Sequence, residues 1–274
     1  MERVDQTPEA HPDLDGAALV LAAGPGTRMM PFTETTPKPL LTVNNEELLG
    51  RSLSQVFTVT PHVAVNTHHL RHAVESYLEG RRVHLSVETR EPLGTAGAVA
   101  AIQEWLDGRD LLIANADTWV ETIPRGFIES WDHERPRLLV VEVGHRSDFG
   151  TDRFVGVSLL PGALAKTIPV EPGGLYERVW RSMLDRLDLY QLDGRAFDCG
   201  TPEEFLAANL TVSGGRSVIH PTARPGGPVE DSVFLRGAKT PPGYAARAEI
   251  RDGFGHSFVS RLHGGPTVHS DKLN

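Results

Sequence analysis

The sequence predicts an α/β fold: a mainly parallel mixed sheet with helices on both faces, followed by a short C-terminal β-rich appendage. Three observations carry this. Short apolar runs alternate with segments of helical period through the first 200 or so residues, the pattern of a sheet covered on both sides. The first run, residues 17–22 (AALVLA), is apolar without interruption and is stopped by Gly24, as a strand buried on both faces would be. The last 60 residues change character: residues 215–274 hold 9 Gly and 6 Pro and a net charge of +3, against −12 for residues 1–214. Long helices are excluded there.

The elements follow in order. Residues 46–57 place Leu48, Leu49, Leu53, Val56 and Phe57 at helical spacing, and HVAVN (62–66) reads as the next strand. A second helix over 68–79 aligns Leu70, Val74, Tyr77 and Leu78. VHLSV (83–87) predicts a strand, 96–106 a helix on Val99, Ile102 and Leu106, and DLLIA (110–114) another strand. RLLVVEV (137–143) and FVGVSLL (154–160) predict two more, and Leu175, Val179, Trp180, Met183 and Leu184 a helix over 175–184. The final helix has a clear start: Thr201 as cap, Pro202 in the first turn and Glu204 completing a capping box. The expected division is an N-terminal extension (1–14), a main domain (15–214) and the appendage (215–274), with residues 1–14 and 264–274 flexible.

Composition narrows the function. The 274 residues are 39% hydrophobic with a net charge of −9, so the chain buries a core and is ill-suited to coating nucleic acid. The longest apolar run, residues 17–23, is far short of the ~20 residues that cross a bilayer. Residues 1–15 are acidic and polar, unlike a secretory leader, and the single cysteine, Cys199, excludes an internal disulfide framework. A cytoplasmic protein with no nucleic-acid or membrane partner is expected.

Ligands of parallel sheets sit beyond the carboxyl ends of the strands, so the loops there carry the chemistry. The first strand runs into LAAGPGTRMMPFTETTPKPLLTV (21–43). Gly24 and Gly26 let the backbone turn tightly and offer N–H groups to an anion, Arg28 and Lys38 add positive charge, and prolines 31, 37 and 39 stiffen the excursion. A dinucleotide fingerprint would need a third glycine where Met29 stands, and a P-loop would need Gly-Lys-Ser/Thr around Lys38, which is flanked by prolines. Neither motif fits.

The whole string resembles the signature of the sugar-1-phosphate nucleotidyltransferases, or nucleotide-sugar pyrophosphorylases, at Gly24, Gly26, Thr27, Arg28, Pro31, Thr33, Pro37, Lys38 and Pro39. EPLGTAGAV (91–99), LIANADTW (112–119) and FDCGTPEEFLAANL (197–210) resemble further segments of that family in the right order, so the resemblance spans roughly residues 17–213. The subgroup it is most similar to is that of the short mannose-1-phosphate guanylyltransferases and N-acetylmuramate-1-phosphate uridylyltransferases. It implies a Rossmann-like fold of the nucleotide-diphospho-sugar transferase type. The implied reaction is attack of a sugar 1-phosphate on the α-phosphate of an NTP, GTP or UTP being the first guesses, with Mg²⁺ as cofactor and pyrophosphate released.

The resemblance also implies roles. Gly24, Gly26 and Thr27 would cradle the triphosphate, Arg28 would stabilise the departing pyrophosphate, and Lys38 would bridge the α-phosphate and the sugar phosphate. Leu21, Ala23, Glu91, Gly94 and Thr95 would serve the nucleotide, and Asn115 and Glu171 the substrate. Asp117 and Asp198 would hold Mg²⁺, with water and phosphate oxygens completing the octahedron. The lack of a convincing nucleophile–histidine pair accords with this, because a phosphate nucleophile is already ionised. His68, His69 and His72 lack a third metal ligand nearby and read as a helix start; Cys199 reads as a packed small side chain. Trp119 reads as a core side chain or a lining of the sugar pocket.

Some features depart from the family. Between Val143 and Leu175 there is no Glu-Lys-Pro string, only Lys166 in Ala-Lys-Thr and Glu171 in Glu-Pro-Gly-Gly, so the acceptor is the least constrained part. The signature does not separate a sugar phosphate from a cyclitol, aminopolyol or choline phosphate, and a catalytically silent nucleotide-sugar sensor is the alternative outside enzymes. VIHPTA (218–223) and SVFLRGA (232–238) resemble hexapeptide turns of a left-handed β-helix. They predict either a truncated coil, packed on the main domain or forming a homo-oligomer with another subunit, or an extended tail to about residue 260.

Overall fold

The computed structural model describes residues 14–143 and 147–260. Its nine strands before the appendage, apart from a two-residue hairpin at Thr42–Val43 and Glu46–Glu47, are β1 (Gly16–Leu21), β2 (Val63–Thr67), β3 (His84–Val87), β4 (Asp110–Asn115), β5 (Thr118–Val120), β6 (Arg137–Glu142), β7 (Asp152–Leu160), β8 (Asp188–Gln191) and β9 (Ala196–Asp198). Seven form one sheet in the order β8-β6-β7-β4-β1-β2-β3. All its pairs are parallel except those of β7, which runs antiparallel to both β4 and β6.

The uninterrupted apolar run of β1 has a direct cause. Ala18 and Val20 face a cluster with Leu49, Leu53 and Val56 of α1 (Leu48–Val59) and Val74 of α2 (Arg71–Leu78). Ala17 and Leu19 face the opposite cluster, built on Ala96, Ala98 and Val99 of α3 (Gly94–Ala101). With helices on both sides, alternation has no purpose and every side chain is apolar. Leu14, placed in the flexible extension by sequence, is 2% exposed, and its N–H donates to the Val59 carbonyl. The rest of the N-terminal extension and residues 264–274 lie outside the described residues.

Three helices differ from their sequence expectation. The helix expected over 68–79 begins at Arg71, because Leu70 adopts a left-handed conformation (φ 49°) and the histidines before it anchor the turn. His68 Nδ1 lies 2.7 Å from the Glu88 carbonyl and His69 Nε2 3.0 Å from that of Thr33, while His72 pairs with Glu75. The helix expected over 96–106 starts earlier, at Gly94, and is interrupted at Ile102 before a single turn over Gln103–Leu106. The one expected over 175–184 is a turn of α-helix (Leu175–Arg178) and then tighter turns over Trp180–Arg186. Burial of Trp180, whose ring meets Phe154 edge-on at 5.1 Å, accompanies that break: tertiary packing overrides the helical stripe. The last helix, α4 (Pro202–Val212), starts as its sequence predicts, with the Glu204 N–H donating to Thr201 Oγ1 at 3.3 Å.

The appendage contains β10 (Val218–Ile219), β11 (Val229–Glu230), β12 (Val233–Phe234), β13 (Ala246–Arg247), β14 (Glu249–Arg251) and β15 (Ser257–Val259). Val218 pairs in parallel with Val233 and Val233 with Ile250, while Val229 pairs in parallel with Ala246 on a second face. The chain therefore winds in stacked turns. Val218, Val233, Leu235 and Ile250 are buried in one cluster with Phe205, Leu206 and Ala208 of α4 and with Met29, Phe32 and Leu41 of the loop after β1. The appendage thus shares a core with the loop that carries the signature residues, beside a small cluster of its own around Ala223, Phe234, Ala238 and Ala246.

Ile250→Ala should accordingly lower global stability by about 2–5 kcal/mol. In urea, intrinsic fluorescence and far-ultraviolet dichroism should report one coincident transition, and two separate transitions would contradict the shared core.

Candidate active site

The sheet order changes direction between β1 and β4: β2 and β3 extend to one side of β1, and β4 to the other. Leu21, the last residue of β1, is in register with Asn66 of β2 and Asn115 of β4. Connections leave in opposite directions here and open a crevice beyond the strand ends. A cavity of about 360 Å³ occupies it. Leu21, Ala23, Gly24, Gly26, Thr27, Arg28, Lys38, Gly94, Thr95, Asn115 and Asp117 all line it, so most residues singled out by sequence converge on one space.

The loop after β1 is built around Gly26. This residue has φ 62°, and a Cβ added to it would lie 3.0 Å from both Lys38 Cβ and Thr33 Cγ2. Glycine is therefore required twice, for the left-handed backbone and for the passage of the Lys38 stem. Thr33 Oγ1 donates to the Gly26 carbonyl at 2.9 Å, and buried Met29 and Phe32 fasten the loop to the core below. Lys38, in a short turn over Lys38–Leu40, is 5% exposed. Its Nζ reaches Asp117 Oδ2 at 2.8 Å, joining the loop after β1 to the segment after β4.

A second carboxylate arrives from far along the chain. β9 pairs antiparallel with β5, setting Asp198 opposite Thr118, and the Cys199 N–H donates to the Asp117 carbonyl at 3.1 Å. Gly200 marks where the groups meet: a Cβ there would come within 2.7 Å of Arg28 Nη2 and 2.8 Å of Asp198 Oδ1. Asp198 as a residue keeps an exposed face, but desolvation by the atoms packed around its carboxyl pushes that group above its ordinary range, and the neighbouring Glu204 and Asp117 carboxylates add to this, while Lys38 and Arg28 oppose it. Two hard oxygen donors held close at the cost of mutual repulsion fit a cation such as Mg²⁺ that takes its other ligands from phosphate and water. Among the described residues no group of three or more His, Cys, Asp or Glu is placed to hold a metal by protein ligands alone.

Three of the residues singled out are not among those lining the cavity: Asp198, whose segment reaches it through Gly200, Glu91 and Glu171. Glu91 is exposed on the loop before α3 and is absent from the lining, where Pro92 and Glu88 stand instead. Glu171 likewise turns away; its carboxylate lies 3.3 Å from Arg178 Nη2, and its backbone packs against Gly97. The loop that carries it does support the site indirectly: the Ala96 N–H donates to the Gly173 carbonyl at 2.9 Å, and the Leu175 N–H to Thr95 Oγ1 at 2.7 Å. Trp119 belongs to the core, tilted against Phe197 with Arg51 over its ring, rather than to the pocket. Cys199 is fully buried, and burial raises its thiol pKa far above the range of a nucleophile.

Asn66 and Glu88, both buried and both lining the cavity, escaped the sequence reading. The available signal was weak: a polar residue at the end of an otherwise apolar strand, and an acid just past the end of the next one. A second cavity of about 600 Å³ lies between α2, residues 35–42 and the appendage; its lining includes Leu40, Tyr77 and Phe254, with Arg236 as its one cation among the described residues.

A strand-end cavity at the switch point of a doubly covered sheet, floored by glycine backbone and one buried lysine, defines an α/β protein with a crevice suited to phosphate groups. Residues 17–153, half of the chain, match the family model described as nucleotidyl transferase, and the chain belongs to that family. It is 24% identical over 225 residues to mannose-1-phosphate guanyltransferase beta-A of Xenopus laevis, covering 69% of this chain and 62% of that protein. To the N-acetylmuramate alpha-1-phosphate uridylyltransferase of Caulobacter vibrioides it is 32% identical over 130 residues, 43% of this chain and 54% of that one. The chain thus spans less than two thirds of the length of these relatives. The fold is similar to that of HddC from Yersinia pseudotuberculosis (TM-score 0.61, 19% identity, 72% of this chain and 99% of that chain). It is also similar to that of a UDP-glucose pyrophosphorylase from Acinetobacter baumanii (TM-score 0.57, 17% identity, 72% and 92%).

The raised Asp198 pKa has a definite sign. Its protonated form is favoured in the folded state, so the associated stability is present at low pH and is lost as pH rises through the folded pKa. Asp198→Asn removes that loss, so its melting temperature at pH 7 without divalent metal should equal or exceed that of the wild type. A lower one would show that the Asp198 charge is compensated in the free protein.

Proposed function

We propose that the protein joins a sugar 1-phosphate to a nucleoside triphosphate, GTP or UTP, giving a nucleotide sugar and pyrophosphate. The observation that carries this reading is the Lys38–Asp117 pair in the strand-end cavity, beside glycine-loop backbone and within reach of the Asp198 segment. Family membership supports it, as do the activities named for the relatives above. The setting is cytoplasmic in this reading, which the one cysteine, buried and unpaired, supports.

In the reaction, an oxygen of the sugar phosphate attacks the α-phosphorus, the bond from that phosphorus to the bridging oxygen breaks, and pyrophosphate carries off the electron pair. The nucleophile is ionised at neutral pH, so no side chain has to remove a proton. What the chain must do is hold two polyanions together and meet charge as it moves. Arg28 and Lys38 are the only cationic side chains that line the cavity among the described residues, so both phosphates share them. Arg28, exposed at the mouth, can grip the leaving pyrophosphate in two places. Lys38, fixed from below, presents a point charge between the α-phosphate and the acceptor phosphate. Mg²⁺ held by Asp117 and Asp198 would neutralise charge on the triphosphate and polarise the α-phosphate.

Lys166, the lysine nearest in sequence to the place of the missing Glu-Lys-Pro string, packs against Gly108, which precedes β4 at the end of the sheet away from the cavity. It cannot serve an acceptor phosphate at the strand ends. In this reading Asn115, which lines the cavity, stands on the acceptor side in place of a lysine from that string.

Pyrophosphate release with Mg²⁺ across common NTPs and a panel of sugar 1-phosphates tests the reading; release with one pair fixes base and acceptor together. Silence across the panel with tight nucleotide binding would overturn the sugar-phosphate reading in favour of another phosphorylated alcohol or a sensor. Lys38→Ala should lower kcat by roughly 10²–10³-fold, the usual cost of losing a charge aimed at a reacting group, and an unchanged rate would remove Lys38 from the site. For the carboxylate, Asp117→Asn is the informative change, because Asp117→Ala also strips a buried ammonium of its partner. It should abolish measurable turnover with little loss of folded protein.

A further inference from the structure

Two side chains in the cavity wall take no part in meeting phosphate charge. Asn66 lies at the end of β2 and Glu88 just beyond β3, and each is 4% exposed. Asn66 Oδ1 accepts the Ala22 N–H at 2.7 Å, Asn66 Nδ2 donates to Glu88 Oε1 at 2.7 Å, and Glu88 Oε2 accepts the Leu93 N–H at 2.7 Å. Three bonds in series thus connect the loop leaving β1, which approaches the phosphates, with the loop entering α3, on the nucleotide side. The backbone of Glu88 is itself fixed, its N–H donating to the Thr67 carbonyl at 2.9 Å.

The polarity of this chain of bonds is forced from both ends. Ala22 and Leu93 each present a backbone N–H, so both side chains must turn an acceptor outward. Between them one donor must then meet one acceptor. An amide beside a carboxylate satisfies this; two amides would face each other donor to donor, and two ionised carboxylates acceptor to acceptor. Because the groups are buried, a mismatch cannot be relieved by water and must be relieved by moving a loop.

We propose that Asn66 and Glu88 are positioning residues: through Ala22 and Leu93 they hold the phosphate loop and the base loop at a fixed separation and so set nucleotide affinity. This rests on the nucleotide reading of the cavity. The same polarity defines a rescue. Asn66→Asp alone and Glu88→Gln alone each break it, whereas the double exchange restores it in reverse. The carboxylate introduced at position 66 then accepts from the Ala22 N–H and from the amide introduced at position 88, whose own oxygen accepts from the Leu93 N–H.

The test titrates GTP and UTP with Mg²⁺ into wild type, N66D, E88Q and N66D/E88Q by calorimetry, with melting temperatures and steady-state kinetics alongside. Each single change should weaken the bound nucleotide about tenfold and raise its KM, with kcat and the KM for the sugar phosphate little altered; the double variant should recover most of the loss. A wild type that binds neither nucleotide refutes the reading of the cavity itself. Where the wild type binds, singles of undiminished affinity overturn the positioning role alone. A double variant that is no better than the weaker single, or does not fold, also overturns it. If the singles do not fold, the double decides by itself, near-wild-type affinity supporting the relay and a persistent loss refuting it.

Discussion

Lys38 is the contact on which the rest of the site depends. A lysine 5% exposed needs a partner, and it finds one in Asp117 at 2.8 Å, 79 positions further along the chain. To reach it, the side chain passes over a glycine that has no Cβ to obstruct it, and prolines on both sides hold the turn it stands on. The contact joins the segments after β1 and β4, the two strands between which the sheet reverses. Gly26, Pro37, Pro39 and Asp117 follow from that one requirement.

The charge arrangement is unfinished in the free protein. Asp198 stands beside Asp117 and Glu204, partly desolvated, with Arg28 and Lys38 only partly offsetting the repulsion. Such a set is ill-balanced for a free protein and well suited to one that receives a divalent cation and phosphates together. The wall that carries Asn66 and Glu88 differs in kind. There Asn66 and Glu88 are satisfied by each other and by backbone N–H groups, so that wall is complete in the free protein.

The appendage is tied into the same site. Its coils bury Val218, Val233 and Ile250 against α4 and against the loop that carries Arg28 and Lys38. His256, from the last hairpin, meets Phe32 edge-on at 6.4 Å and lies 3.9 Å from Glu34. A repeat coil this short buries only a small cluster of its own, around Phe234, and the signature loop, a long excursion built of short turns, cannot support itself. Each supplies the other's missing surface.

Much of this was legible in the sequence because it depends on local pattern. The apolar run of β1 identified a doubly covered strand, Thr201, Pro202 and Glu204 identified the start of α4, and the glycine-proline string with Arg28 and Lys38 identified the family and the loop that lines the cavity. What the sequence could not supply was anything that depends on which distant groups meet. Glu88, rather than Glu91, faces the cavity because the strand ends there and Asn66 waits on the neighbouring strand, 22 positions away in sequence. Glu171 turns to Arg178, and Lys166 packs at the wrong end of the sheet. The helix expected over 175–184 breaks around a tryptophan whose packing partners lie on another strand. Periodicity, caps and tight turns are written in neighbouring residues, so sequence alone determined the fold class and the glycine-proline loop that lines the cavity. The pairing of buried polar and charged groups is a property of strand order and register, and only the tertiary structure decided it.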